Sequence, residues 1–266
     1  MRRAVDLLLG VAALTAGACV ISLLGDRCPS SMACMAAGMS MHGSTITGRV
    51  LELAAVAVAC SVIGRTVWIV RATARTCSAL VTVGNPPALA SAVARTGIRR
   101  VRCVEAAPVP AFCYGVIRPS VVMEIAAAAA LSDAALDAVL LHEEAHRRHR
   151  DPLRRALRQA VVDIGCRSSA LRWWRELALV REELRADAWA ARRVGAPALA
   201  SALLSLAPTS EMTSMPAFGD AADARVTQLL GDRPLLPRMP TGTFLRSGLA
   251  ALGVLAIAVC AAMSSI

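Results

Sequence analysis

His142 and His146 stand four residues apart, and Glu143 directly follows the first, giving the order His-Glu-x-x-His. His149 comes three residues later, so three of the chain's four histidines fall in one short stretch, "LLHEEAHRRHRDPLRRAL", residues 140–157. On a helix, positions four apart lie one above the other on the same face. His142 and His146 can therefore offer two imidazole nitrogens to one ion at about 2.0–2.1 Å. Glu143 projects beside them, close enough to take a proton from water at the ion without ligating it. A catalytic zinc also needs a third protein ligand and keeps its fourth position open. The segment "REELRADAWA", residues 181–190, supplies one: Glu183 and Asp187 again stand four apart. Glu183 is the expected third ligand. Asp187 is expected to accept the outer N–H of a ligating imidazole and so fix its tautomer. Glu182 points about a quarter-turn away and is the weaker choice. The oxyanion-stabilising group is less evident, with Tyr114, the only tyrosine, and His149 as candidates.

The elements that must hold these groups can be read in outline. "RRVRCVE", 99–105, alternates weakly like a strand, and "AFCYGVIRPSVVMEI" reads as a second strand region interrupted at Pro119. Ser132 has the chemistry of a helix cap, with Asp133 in the first turn, which predicts a helix over 133–150 that is apolar at Leu136, Val139 and Leu140. Asp151-Pro152 reads as a cap and first-turn proline opening another helix. A third helix is predicted over 171–193, with Trp173 and Trp174 at its start suited to a membrane interface or to a core. Residues 207–220, rich in Pro, Ser, Thr and Met, read as a linker.

The remainder of the 266 residues points to a membrane. The composition is 56% hydrophobic with only 3% aromatic residues, and the mean hydropathy is +0.55. The net charge of +10 comes entirely from arginine, since the sequence contains no lysine. Basic patches interleaved with aromatics are absent, so no direct nucleic-acid partner is expected; the arginines flank apolar runs instead. Three runs are long enough to span a hydrocarbon core: 4–24, 50–70 and 247–266. A cleaved signal peptide is the rival reading of the first run, set against it by the spans that follow. Arg2 and Arg3 precede the first span, and Arg71, Arg75, Arg99, Arg100 and Arg102 follow the second. The positive-inside rule then puts 71–246 in the cytoplasm and the 25–49 loop outside. The expected protein is a multi-pass protein of the cell membrane, with the lipid bilayer as one partner. Nine cysteines form no CxxC pair and do not define the fold.

"HEEAH", "HRRHRDPLRR", "EELRADAWA" and "DARVTQLL" together resemble the membrane peptidases of the BlaR/MecR antirepressor type, and are similar to the related HtpX and CAAX-protease group. "AFCYGVIRPSVVM" resembles the family's segment before the helix, where an edge strand lies along the cleft. The resemblance spans roughly 105–231. It implies an α-helical membrane protein with a small α+β gluzincin-type (HExxH) metallopeptidase domain, a Zn2+ cofactor on His142, His146 and Glu183, and Glu143 as the catalytic base. It implies a zinc metalloendopeptidase whose substrate is a protein or peptide at the membrane, in the antirepressor branch a cognate transcriptional repressor. Receptors of that group with a penicillin-binding sensor carry it beyond the last span, where this sequence stops, so direct β-lactam sensing by that route is not expected.

Two other functions compete: a membrane signal-transducing receptor with a structural zinc site, and a membrane protein quality-control protease. Glu143 favours an enzyme, because a structural site has no need of it. The loop "CPSSMACMAAGMSMHGS" gathers Cys28, Met32, Cys34, Met35, Met39, Met41 and His42, a soft donor set suited to Cu(I). A Cys28–Cys34 disulfide or plain flexible sequence is the alternative reading.

Overall fold

The structure is a computed structural model, and it describes residues 34–165, 168–206, 216–234, 236–239 and 241–243. The spans expected over 4–24 and 247–266, and Cys28 and Met32 of the proposed copper loop, lie outside the described residues. Within them the chain is mostly helical with one small sheet.

A long helix, α1, runs Cys34–Ser78. Residues 34–49, expected as part of a loop, therefore continue the helix rather than precede it. Ala55–Ser78 is long and apolar enough to cross a membrane, the one such helix among the described residues. Its second half is not free of the domain. Arg65 donates from Nε to Asp163 Oδ2 at 2.7 Å, and its guanidinium stacks 4.3 Å over the Trp68 ring. Arg65, within the span expected over 50–70, is thus tied to a helix further along the chain.

Four strands form the sheet: β1 Thr82–Val83, β2 Val101–Val104, β3 Ala111–Tyr114 and β4 Ser120–Glu124, with the short helix α2, Pro87–Thr96, between the first two. Their order is β1-β2-β4-β3. β2 runs parallel to β4, while β1 and β3 are antiparallel to their neighbours. The interruption expected at Pro119 is the β3–β4 hairpin turn. Gly115 opens it at φ +101, where a Cβ would approach Pro119 Cα to 3.2 Å, so only glycine fits without displacement.

After α3, Ile125–Ala130, comes the central helix α4, Asp133–His149. Ser132 caps it as expected, its hydroxyl accepting from Ala135 N at 3.4 Å. Leu136 and Leu140 are fully buried, packed in one core with Val121 and Met123 of β4, Leu89 of α2 and Leu199 further on. This face fixes the rotation of α4 and so dictates where residues 142–146 point. Arg150 ends the helix in the left-handed region, φ +55, which turns the chain sharply into α5, Asp151–Ile164. The long helix α6, Ser169–Val194, is capped by Ser168 and followed by α7, Ala196–Ser205, and α8, Pro216–Leu229. Residues 216–220, expected in the linker, begin α8. Of the two tryptophans at the start of α6, Trp173 donates to Pro237 O at 3.0 Å, while Trp174 is exposed.

Candidate metal centre

α4 and α6 pack side by side, and their facing turns bring three donor atoms together. His142 Nε2 lies 3.1 Å from His146 Nε2 and 3.2 Å from Glu183 Oε2; His146 Nε2 lies 3.4 Å from Glu183 Oε1. These three side chains form the one group of His, Cys, Asp or Glu among the described residues that could hold a metal ion. Donors at 2.0–2.1 Å from a tetrahedral ion would be separated by about 3.4 Å, so the spacing suits zinc.

The chemistry of the donors points the same way. His146 Nδ1 meets Asp151 Oδ2 at 2.8 Å, and His142 Nδ1 meets Asp187 Oδ1 at 2.8 Å. The His142 contact is within ion-pair range but off the line of a straight N–H···O bond. With each Nδ1 protonated toward a carboxylate, both Nε2 atoms present bare lone pairs to the same point, next to a carboxylate oxygen. Two lone pairs and an anion at such distances repel unless a cation lies between them. The residues present fit a divalent metal.

The neighbouring acids are sorted by their partners. Glu144, the other glutamate of the motif, is held by Arg147 and Arg148, and its pKa falls despite burial because those guanidiniums outweigh it. Glu143 is buried, 8% exposed, and forms no ion pair among the described residues. Glu182 is pinned by Arg155 and Arg158. Arg155 also reaches Glu183, donating from Nη2 to Oε1 at 2.7 Å. Burial alone would raise the Glu183 pKa, but the hydrogen bonds from His142 and His146 hold it well below the usual carboxylate range. Asp187 is completely buried and accepts two bonds from Arg225, at 2.6 and 2.8 Å.

Asp151 corrects the sequence reading. Its carboxylate caps nothing; it turns inward, 1% exposed, to His146 and to Arg185 at 2.9 Å. Arg155 and Arg225 had no assigned role either. Asp151 and Arg155 are four apart on α5, the same spacing that picked out the ligand pair, and that is the signal available in the sequence. Of the two oxyanion candidates, the Tyr114 hydroxyl is engaged by Arg102 and His149 Nδ1 lies 2.8 Å from the Ala145 carbonyl oxygen. Neither contacts the three converging donors.

In protein stripped of metal, the His142 pKa is raised to about 9; burial pulls it down, and the Asp187 and Glu183 carboxylates raise it by more. A proton held more tightly by the fold than by the unfolded chain stabilises the fold below pH 6.5, and that contribution is lost as pH rises through about 9. Chelator-treated protein is therefore expected to melt at falling temperature across this window, and His142→Asn is expected to flatten the dependence. Equal slopes for both proteins in a calorimetric pH series would contradict the assignment.

Beside the metal centre lies a cleft of about 400 Å³ between α1, β3 and α5, with Arg155 at its rim. The Cys113 thiol on its wall is pushed far above its usual range, first by burial and then by the Glu143 carboxylate. Glu143 and the strand thus lie within each other's field.

A comparison with protein families matches residues 80–230 to the model described as Peptidase family M48. No curated protein and no solved structure matches the chain.

Proposed function

Because the chain belongs to peptidase family M48 and is a metallopeptidase, we propose that it is an integral-membrane zinc endopeptidase acting on a protein at the cytoplasmic face of the bilayer. The observation that carries this reading is the convergence of His142, His146 and Glu183 from two separate helices, with Glu143 buried beside them and free of the arginines that neutralise Glu144. His142, His146 and Glu183 would hold the metal. When bound, zinc supplies Lewis acidity, lowering the pKa of water toward ~7 and polarising the scissile carbonyl. Glu143 takes the proton from the attacking water and passes it to the leaving amine. Asp187 and Asp151 hold the two imidazoles by their Nδ1 atoms, and Arg155 keeps the Glu183 carboxylate in place.

The membrane part of the proposal draws on the apolar stretch Ala55–Ser78 and the arginines that follow it. The finer assignment, to the antirepressor type with a transcriptional repressor as substrate, rests on the motifs "HEEAH", "EELRADAWA" and "DARVTQLL".

Detergent-purified protein is expected to contain one zinc per chain by plasma emission spectrometry and to cleave an unstructured protein such as casein. Phenanthroline should stop the cleavage and added zinc restore it; His146→Ala should lose both metal and cleavage. Cleavage indifferent to the chelator, or a His146→Ala protein with full zinc, would sink the proposal.

A further inference from the structure

The apolar stretch Ala55–Ser78 of α1 divides at Arg65. Before it, the exposed positions are Ala55, Ala57, Val58, Ala59, Ser61 and Gly64, a surface suited to lipid. After it, Thr66 and Val67 are buried, and the exposed positions are Trp68, Arg71, Thr73, Arg75, Thr76 and Ser78. Apart from the tryptophan, all of these favour water. Charged side chains facing hydrocarbon are costly and rare. The second half of the stretch is therefore apolar on account of the side it packs on α5, not because it lies in the bilayer. Arg65 stands at the division, bonded to Asp163 at 2.7 Å with its guanidinium over the Trp68 ring. Asp163 is the last residue but one of α5. Gln159 Nε2 donates to Asp163 Oδ1 at 2.8 Å, and Arg175 Nη1 donates to Gln159 Oε1 at 2.7 Å. One polar chain thus ties α1 to the end of α5 and the start of α6. Trp174, next to Arg175 in sequence, is exposed. Trp173 donates to Pro237 O at 3.0 Å, and the apolar run 247–266 begins ten residues after Pro237. Two points from which apolar runs lead away therefore stand at the same end of the domain.

We infer that this end of the domain, Arg65 and Trp68 of α1 with Trp173 and Trp174 of α6, is seated in the headgroup layer of the bilayer. The inference rests on the integral-membrane reading and deepens it, placing the boundary of the bilayer at Arg65 instead of at Ser78. Tryptophan favours that layer because its ring is apolar and its N–H is polar. Residues 50–64, between Arg49 and Arg65, cover about 22 Å as a helix. Flanking arginine side chains reaching outward make up the rest of a ~30 Å core, and Arg65 leans that way, toward Trp68. The one acidic residue of that stretch, Glu52, falls within a turn of its outer end. The metal centre stands at the other end of α5, where Asp151 meets His146. Twelve residues separate Asp151 from Asp163, so the centre lies within about 18 Å of the headgroups. That height restricts substrates to polypeptide segments immediately beside the membrane.

The test is tryptophan quenching of the full-length protein in lipid nanodiscs whose acyl chains carry bromine either just below the headgroups or near the chain end. The chain has four tryptophans, and the fourth, Trp189, lies fifteen residues past Trp174 on α6, stacked on Arg148 and Arg193. Shallow bromine should quench the wild type at least about twofold more than deep bromine, as befits rings at the interface. Trp68→Phe and Trp174→Phe, conservative changes at exposed positions, should each remove about a third of the quenched emission, and Trp189→Phe should remove none. Deep quenching as strong as shallow puts Trp68 inside the hydrocarbon and overturns the inference. So does a Trp174→Phe protein that keeps the wild-type quenched emission; if Trp174 is then also shielded from aqueous acrylamide, a protein partner such as a second copy covers that face. Either result leaves the membrane endopeptidase standing. Protein released from membranes by alkaline carbonate overturns both.

Discussion

The Glu143→Gln protein is expected to keep its zinc and to lose roughly 10²–10⁴-fold of its cleavage rate, the contribution typical of a positioned general base. Glutamine reproduces the shape of glutamate and can still accept a hydrogen bond, but it cannot take up a proton at neutral pH. The substitution removes none of the three donor atoms, which belong to His142, His146 and Glu183. It also breaks no ion pair, because Glu143 forms none among the described residues. The effect should therefore fall on kcat rather than on metal content or folding. Glu144→Gln is the internal control. That residue is one position along the same helix and also buried, yet its charge serves Arg147 and Arg148, so its loss should change kcat/KM only a few-fold. Measured kcat/KM for the two variants, with zinc stoichiometry beside each, separates the roles. A Glu143→Gln protein within threefold of wild type would remove the proton-transfer role.

Spacing alone names Glu143 as the candidate base, and the structure adds that its neighbour Glu144 is paired with Arg147 and Arg148. Helical periodicity places 142 and 146 on one line, and Ser132, Asp133 and the apolar positions 136, 139 and 140 set where that helix begins and which side faces inward. The observed helix, Asp133–His149, differs from the expected one by a single residue. Glu183 and Asp187 were found by the same four-residue rule. Periodicity within one helix cannot say what a neighbouring helix contributes. Asp151 looked like a cap because Pro follows it, whereas the left-handed Arg150 turns the chain so that the first residue of α5 faces back onto His146. Arg225 stands 38 residues from Asp187, and no local rule links two positions at that separation. The β3–β4 hairpin was half-visible: Pro119 marked the break and the resemblance implied an edge strand, but neither gave the antiparallel pairing of β3 with β4.

The two halves of the site also differ in how they are held. His142 and His146 sit on a helix whose inner face is core, so their placement is fixed by Leu136 and Leu140 packing against the sheet. Glu183 and Asp187 instead sit where charges are balanced in a chain: Arg155 bonds Glu182 and Glu183, while Arg225 bonds Asp187 and approaches Glu183 Oε2 at 3.7 Å. Apolar packing tolerates small changes in volume. A buried charge network does not tolerate the loss of one member.

Arg225→Met should accordingly destabilise the protein by about 3 kcal/mol, the lower part of the range for breaking a buried pair, since the guanidinium retains a fifth of its exposure. The Asp187 carboxylate has no exposure at all and accepts both guanidinium bonds. Burial pushes its pKa up, and the His142 hydrogen bond followed by that of Arg225 brings it below its usual value. With Arg225 gone, the ring N–H of His142 is the one remaining partner among the described residues for a fully buried negative charge. Adding Asp187→Asn in the Arg225→Met background removes that charge and should recover a substantial part of the lost stability, whereas Asp187→Asn alone should destabilise by stranding Arg225. The four proteins form a double-mutant cycle, read by urea unfolding of the zinc-loaded domain followed through Trp189 on α6 and the other tryptophans. A coupling near zero would mean that the pair adds nothing to stability, and that α8 is held to α6 by other contacts, such as the Gln228 bond to Leu184 O at 2.8 Å. A large coupling would mean that α8 is fastened to the metal centre itself. The fold would then depend on the same carboxylate that orients His142.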